Sequence, residues 1–215
     1  MPQNPKIYHI THVDNLEGIL RRGGLISDAL MIQKGGPPQA VGMSKIKRRR
    51  LEEIEVACYP GTKVGEYVPF YYCPRSIMLY ILYKGGHPDI DFTEGQEPII
   101  HLEADLYRAI EWAERKGAKW ALSFGNAGAY AVEFGCNPGD FKRLDWDAIA
   151  ATDFRGVDVK ERKQAEFLVY EFFPFELIRR IGVYSEEIRR KVVQTLLQHG
   201  QAICLDVRVM KGWYY

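Results

Sequence analysis

The stretch that most restricts how this 215-residue chain can fold is residues 163–173, KQAEFLVYEFF. Phe167, Val169 and Phe173 alternate with Leu168, Tyr170 and Phe172, so both faces of an extended segment carry apolar or aromatic bulk and both must be covered. Glu166 stands at the mouth of this strand. A carboxylate in that position costs free energy unless it has a partner or a task, and the strand pattern alone leaves catalysis and structural tolerance equally open. Glu171, five residues on, is read as pointing to the opposite face of the same strand, and Glu166 is preferred over it.

The rest of the chain can bury such a strand. Apolar residues make up 47% of it and the net charge is only +1, so there is material for a core, and any signal for an anionic partner must be local. Tyrosine (13) outnumbers phenylalanine (10) and tryptophan (4), a bias that suits clefts stacking flat ligands and large cores alike. Cys58, Cys73, Cys136 and Cys204 are scattered, with no pair at zinc-ligand spacing, so no metal is expected. The amino-terminal MPQNPKIYHI lacks a signal-type apolar core, and no apolar run approaches membrane-spanning length. The expectation is a soluble protein of the reducing cytoplasm.

In order, residues 6–10 read as a strand. A helix follows, with Thr11 as its cap, Asp14 three residues on, and Gly23–Gly24 as its stop. His9 then lies just before a helix N-terminus, where backbone amides can meet a ligand; the bland alternative is a core histidine bonded to a carbonyl. Residues 33–43 are a Gly/Pro loop. A basic run, Lys45, Lys47, Arg48, Arg49 and Arg50, opens a helix closed by Glu52, Glu53 and Glu55. It is either a solvated face or a holder of phosphates. Residues 68–73 form a strand, and Pro74 suits the first turn of the next helix, which places Arg75 where it opposes the helix dipole and calls for an anionic partner. Strand 98–103, helix 104–117 and a short apolar run over 119–124 come next. Segment 130–135 is ambiguous.

Residues 142–164 form a long, charged, poorly periodic passage. Lys142, Arg143, Arg155, Lys160, Arg162 and Lys163 are interleaved with Trp146 and Phe154. Long irregular segments are often functional, and cations mixed with exposed rings suit a nucleic-acid strand. The alternative is a solvated loop whose rings fold back on the core. Beyond the central strand come a helical turn with a strand over 174–184, a helix over 185–200 capped by Ser185, a last strand over 202–210, and an aromatic terminus, GWYY, that packs. The succession implies an α+β domain with a mixed, mostly antiparallel sheet and no linker to a second domain. Dinucleotide, Walker, HExxH and GxSxG motifs are absent.

A histidine, an arginine run, tyrosines and a glutamate on separate elements suit a cleft for a dinucleotide. Tyr71 or Tyr72 would stack on a flat ring, an arginine would hold the pyrophosphate, and a glutamate would stabilise an oxocarbenium-like centre. The segments YHITHVDNLEGIL, IKRRRL, VGEYVPFYYCPRSIMLY and KQAEFLV, in this order and spacing, resemble the DarT family of bacterial toxins, from about Tyr8 to the terminal aromatics. The resemblance implies one ADP-ribosyltransferase-like domain over 1–215, with two packed, mostly antiparallel sheets around an NAD cleft and flanking helices. It implies transfer of ADP-ribose from NAD to thymidine in single-stranded DNA, release of nicotinamide, and a partner antitoxin, DarG, whose macrodomain removes the mark. By position, Glu166 resembles the catalytic glutamate and His9 the NAD-binding histidine. The resemblance also implies that Thr11, Asn15, Tyr71 and Arg75 belong with the cofactor, that Arg49 or Arg50 is the catalytic or phosphate-binding arginine, and that the passage before Glu166 faces DNA. The family's FYF stands here as Phe70-Tyr71-Tyr72, a change that keeps the ring. The rival readings are a transferase acting on RNA or protein, and a non-enzymatic nucleic-acid-binding domain.

Overall fold

A computed structural model describes residues 2–200 and 205–215. Its α+β architecture is built on an eight-stranded sheet and a two-stranded one. The strands are β1 (Lys6–His12), β2 (Gly24–Ile26), β3 (Tyr67–Tyr71), β4 (Ile99–Asp105), β5 (Trp120–Ser123), β6 (Phe134–Gly135), β7 (Glu166–Tyr170), β8 (Phe172–Pro174), β9 (Ile178–Val183) and β10 (Asp206–Val209). The helices are α1 (Leu16–Arg21), α2 (Asp28–Gln33), α3 (Ser44–Glu52), α4 (Ile77–Lys84), α5 (Leu106–Lys116), α6 (Trp146–Ala150), α7 (Val157–Arg162) and α8 (Glu186–Gln198). The large sheet runs β10-β9-β4-β1-β3-β7-β5-β6, and β2 pairs with β8. Every pairing is antiparallel except β9 with β10.

One weak seam in the large sheet places the site. β1 and β4 pair along seven positions, and β3 and β7 along five. β1 and β3 meet at a single pair, Tyr8 with Tyr71. Beyond that pair the two halves of the sheet part. The His9 ring fills in for the missing ladder, its Nδ1 donating to the Pro69 carbonyl at 2.9 Å.

β7 is the buried strand its composition demands: Glu166 through Val169 are buried between β3 and β5. The run 163–173 is nevertheless not one strand. Glu171 has φ 57, a left-handed conformation that a side chain with a Cβ adopts at a cost. It is exposed, it breaks the ladder, and it sends Phe172–Pro174 to the second sheet as β8. Glu171 is therefore a hinge between sheets rather than an outward residue of β7.

The caps follow sequence chemistry in most places. Ser185 accepts from the Ile188 amide, and Gly117 closes α5 in the left-handed region. Two expectations are corrected. Thr11 stays within β1, and the turn ahead of α1 is capped by His12 Nδ1, which accepts from the Asp14 amide. Helix α4 starts at Ile77 with Ser76 as its cap, so Arg75 lies before the helix. The passage 142–164 holds α6, α7 and the end of a 3-10 turn (Pro138–Arg143) rather than being irregular. The strand expected over 202–210 is seen as Asp206–Val209; residues 201–204, Cys204 among them, lie outside the described residues.

Candidate active site

The cleft opens at the seam. His9 and Thr11 of β1, Pro69 and Tyr71 of β3, and Glu166 of β7 line it. The α1–β2 region, α2, the loop over 37–43, α3 and α4 close it with Arg22, Asp28, Gln39, Lys47, Arg50 and Met78. Glu166 is directly opposite Tyr71 in the β3–β7 register, so both side chains stand on the same face.

Glu166 is 3% exposed and is held from three sides. Its amide donates to Ser123 Oγ at 3.0 Å, and its carbonyl accepts from the Tyr72 hydroxyl at 3.5 Å. Its carboxylate receives a forked pair from Arg50, Nη1 to Oε1 at 2.8 Å and Nη2 to Oε2 at 2.9 Å. Burial works against the Arg50 charge, but the adjacent carboxylate more than offsets it and holds the guanidinium pKa above its ordinary value. Such a fork uses two of the roughly four acceptor directions of a carboxylate. One on each oxygen is left for a ligand.

The register within the arginine run is settled by helical geometry. Residues three and four apart share a helix face, so Ile46, Lys47 and Arg50 look into the cleft. Arg48 turns to solvent and bonds Glu52 at 2.9 Å. Arg49 does not line the cleft; its guanidinium lies 5.0 Å over the Tyr130 ring. Of the two arginines expected to be catalytic, the fold brings only Arg50 to Glu166.

His9 is bonded to a carbonyl and also lines the cleft. With Nδ1–H committed to Pro69, Nε2 carries the lone pair. Burial pushes the ring's pKa down, which favours the neutral form with an acceptor nitrogen. Asn15 is a brace. Its Nδ2 protons go to Thr11 Oγ1 at 3.0 Å and the Gln39 carbonyl at 2.8 Å, and its Oδ1 accepts from the Gln39 amide at 3.0 Å. It thereby pins the 37–43 loop at the cleft and leaves the Thr11 hydroxyl proton free to donate. Of the two tyrosines, Tyr71 lines the cleft, while Tyr72 is buried beneath Glu166. Arg75 does not line the cleft: with Ser76 taking the cap, its guanidinium stacks 4.4 Å over Tyr215.

The passage 142–164 is more closed than its composition implies. Trp146 folds back, with Nε1 donating to the Phe141 carbonyl at 3.1 Å and the ring 5.5 Å from Tyr72. Phe154 packs edge-on to Tyr80 and Tyr215. Arg143 pairs with Glu133 at 2.8 Å, Arg155 with Asp153 at 2.5 Å and Arg162 with Asp145 at 3.0 Å. Lys163 is buried, its Nζ donating to the Ile149 carbonyl at 2.7 Å. Lys142 and Lys160 are exposed and, among the described residues, make no ion pair.

Several lining residues carried no expectation from sequence. Gln164 sits in the turn between α7 and β7, and it accepts from Asn126 at 3.3 Å. Arg22, Asp28 and Met78 had no local signal, nor did Ser123, which does not line the cleft but accepts from the Glu166 amide. Among the described residues, no group of three or more His, Cys, Asp or Glu could hold a metal, and no helix is long and apolar enough to cross a membrane.

The family model described as "ssDNA thymidine ADP-ribosyltransferase, DarT" matches residues 8–215. The DNA ADP-ribosyl transferase of Thermus sp. (strain 2.9) is 36% identical over 217 residues, which cover all of this chain and 98% of that protein. The Thermus aquaticus protein of the same description is 39% identical over 97% of this chain and 88% of that protein. The structure of Thermus sp. 2.9 DarT in complex with ADP-ribosylated ssDNA superposes with a TM-score of 0.87 at 36% identity, over 100% of this chain and 98% of that one. The same protein in complex with NAD+ gives 0.81 at 34% identity, over 100% and 99% of the two chains. The split sheet, the glutamate at its seam and these likenesses agree, and the chain belongs to the DarT family.

Proposed function

We propose that Glu166 and Arg50 are the reaction centre of this DNA ADP-ribosyltransferase, which transfers ADP-ribose from NAD to thymidine in single-stranded DNA and releases nicotinamide. The observation that carries the assignment is the forked Arg50–Glu166 pair, with Glu166 almost wholly buried, at the seam of the sheet. NAD supplies a glycosidic C–N bond whose cleavage leaves cationic character at the anomeric carbon. A carboxylate aimed at that carbon stabilises it most where water is excluded. Arg50 supplies the counter-charge that a buried carboxylate needs and fixes its plane. Of the two acceptor directions that remain on Glu166, one serves a ribose hydroxyl and the other is left to take a proton.

His9 Nε2, as an acceptor, and the Thr11 hydroxyl, as a donor, hold the nicotinamide end, and the Tyr71 ring offers it a flat wall. A thymine ring nitrogen is a weak nucleophile until its proton leaves, so a base is required; Glu166 is the carboxylate at hand. A paired, stacked base cannot reach a cleft of this kind, which accounts for the single-stranded acceptor. Lys142 and Lys160, exposed and unpaired, are the cations of the 142–164 passage available to its phosphates.

The reading takes 1–215 as a single ADP-ribosyltransferase domain working in the cytoplasm, where NAD and DNA meet. It makes the protein the toxin of a pair whose antitoxin is a DarG-type macrodomain protein. DarTG of Thermosipho africanus has been solved in complex with ADP-ribose; this chain spans about half of that one at 19% identity and shares its fold, with a TM-score of 0.77. Support for the pairing is the family resemblance, and restored growth on co-expression with such a macrodomain protein is its test.

The central test is Glu166→Ala beside Glu166→Gln, each incubated with NAD and a thymidine-containing oligonucleotide and read by mass spectrometry. Both lose at least about 10²–10³-fold in transfer rate; the amide variant keeps the shape of the side chain and the fold, read by circular dichroism, although loss of the Arg50 counter-charge lowers its melting temperature. Wild-type transfer by either variant overturns the assignment.

A further inference from the structure

We propose that Arg22 is the cation that holds the pyrophosphate of NAD; this rests on the reading of the cleft as an NAD site. Five charged residues line the cleft: Arg22, Asp28, Lys47, Arg50 and Glu166. Four of them are matched within the protein. Arg50 pairs with Glu166, and Lys47 Nζ pairs with Asp28 at 3.2 Å. Arg22 is left over. Among the described residues no carboxylate lies within ion-pair distance of it, and its Nε is buried without a hydrogen-bond partner.

Arg22 is partly buried, with its Nε shut off from both water and a protein acceptor, and no carboxylate offsets its charge where it borders the cleft. Its surroundings show the same imbalance. Arg50 and Arg180, each beside a carboxylate, have pKa values raised, whereas burial alone acts on Arg22 and pushes it down. The ligand supplies what is missing. NAD carries two phosphate charges, and the planar fork of an arginine meets phosphate oxygens bidentately. The matched pairs already serve other ends, one at the reacting centre and one between α2 and α3. The pyrophosphate therefore falls to Arg22.

The fold keeps a seat for this side chain. Arg22 is the C-cap of α1, and its guanidinium lies back over Gly18: a Cβ there would stand 3.0 Å from Nη1 and 3.3 Å from Nη2. Glycine in a helix is unfavourable by itself, and at this place its missing side chain leaves room for the fork. The basic run of α3 looked the better phosphate holder in sequence, because five cations in six residues stand out and a lone arginine after Arg21 does not.

The experiment measures steady-state transfer to a thymidine oligonucleotide and inhibition by ADP-ribose and by nicotinamide for the wild type and for Arg22→Gln, Arg22→Lys and Gly18→Ala. In Arg22→Gln, KM for NAD and Ki for ADP-ribose rise roughly tenfold to a hundredfold, the loss expected for a charged hydrogen bond. The value of kcat stays within about twofold, and Ki for nicotinamide, which has no phosphate, does not move. Arg22→Lys recovers part of the loss. Gly18→Ala weakens ADP-ribose binding through displacement of the fork while the melting temperature holds or rises. An unchanged KM in Arg22→Gln overturns the proposal, and so does an equal rise in the nicotinamide Ki, which marks a merely structural role. A wild-type protein that binds neither NAD nor ADP-ribose sinks the NAD reading itself.

Discussion

The cleft and the 142–164 passage both mix arginines with carboxylates, and they solve the problem differently. In the passage the partners are near in sequence: Arg155 reaches Asp153 two residues away, and Arg162 reaches Asp145 on the neighbouring α6. These pairs are exposed. In the cleft, Arg50 reaches Glu166 across 116 positions, and both side chains are nearly removed from solvent, at 12% and 3% exposure. An exposed pair gains little over water and can be dispensed with. A buried pair is held by the whole fold, and each partner depends on the other. The charge that looks conspicuous in sequence is thus the less consequential one.

Arg50→Ala against Arg49→Ala is the sharpest way to break this contrast. Arg50→Ala leaves Glu166 buried without its counter-charge. It is expected to cost about 3–5 kcal/mol of stability, read by denaturant titration, and to abolish transfer. Arg49→Ala removes a ring contact at Tyr130 and leaves transfer within severalfold of wild type. Equal losses in the two variants would remove the assignment of register. Arg50→Lys keeps a charge but not the fork, and is expected to regain stability sooner than activity.

Acid separates the two regions next. His101 is buried on β4, its Nε2 donating to the Pro74 carbonyl and its ring against Trp213 and Tyr214. Burial pushes its pKa from 6.5 down to about 4, and His9 in the cleft moves the same way. The folded state then binds fewer protons than the unfolded chain between these values, so stability is full above pH 6.5 and is lost as the pH falls toward 4. The Arg155 bond holds Asp153 down at about 2, so the surface pairs outlast the histidines. Thermal melts from pH 7.5 to 4.5 should show the decline, and His101→Gln should flatten it. A variant that melts with the same slope as the wild type places the titration elsewhere.

The smallest effects belong to the passage itself. Lys142→Ala with Lys160→Ala should reduce the salt dependence of oligonucleotide binding by about two counter-ions, a slope change near 1.8 on logarithmic axes for a duplex and less for a single strand. Arg155→Ala, with its charge already neutralised by Asp153, should leave that slope and the melting temperature unaltered. If Arg155→Ala weakens binding as much as the lysine pair does, its ion pair opens for DNA and the contrast with the cleft is softer than drawn.

Period-two alternation, helix caps and Gly/Pro punctuation are local, and they made the buried β7 and helix α8 readable from residues alone, whereas the short β2, α2, α6 and α7 carried too few periods to be read. Glu166 at the front of a two-faced apolar strand was conspicuous for the same reason. What was not legible depended on contacts between distant segments. Nothing near Glu171 says that the strand breaks there; its left-handed backbone is demanded by the switch from one sheet to the other. Composition placed Lys163 on a basic surface, and the packing of α6 against α7 buries it on a carbonyl. Which arginine of three enters the cleft needed the rotation of α3 over the seam, and Arg22 needed the closure of α1 against β2. The amino-acid sequence by itself determined the longer elements, the chemistry available and the family. Only the tertiary structure decided which charges meet and which is left without a partner, because ion pairing over a hundred residues is a property of the assembled sheet and has no period to read.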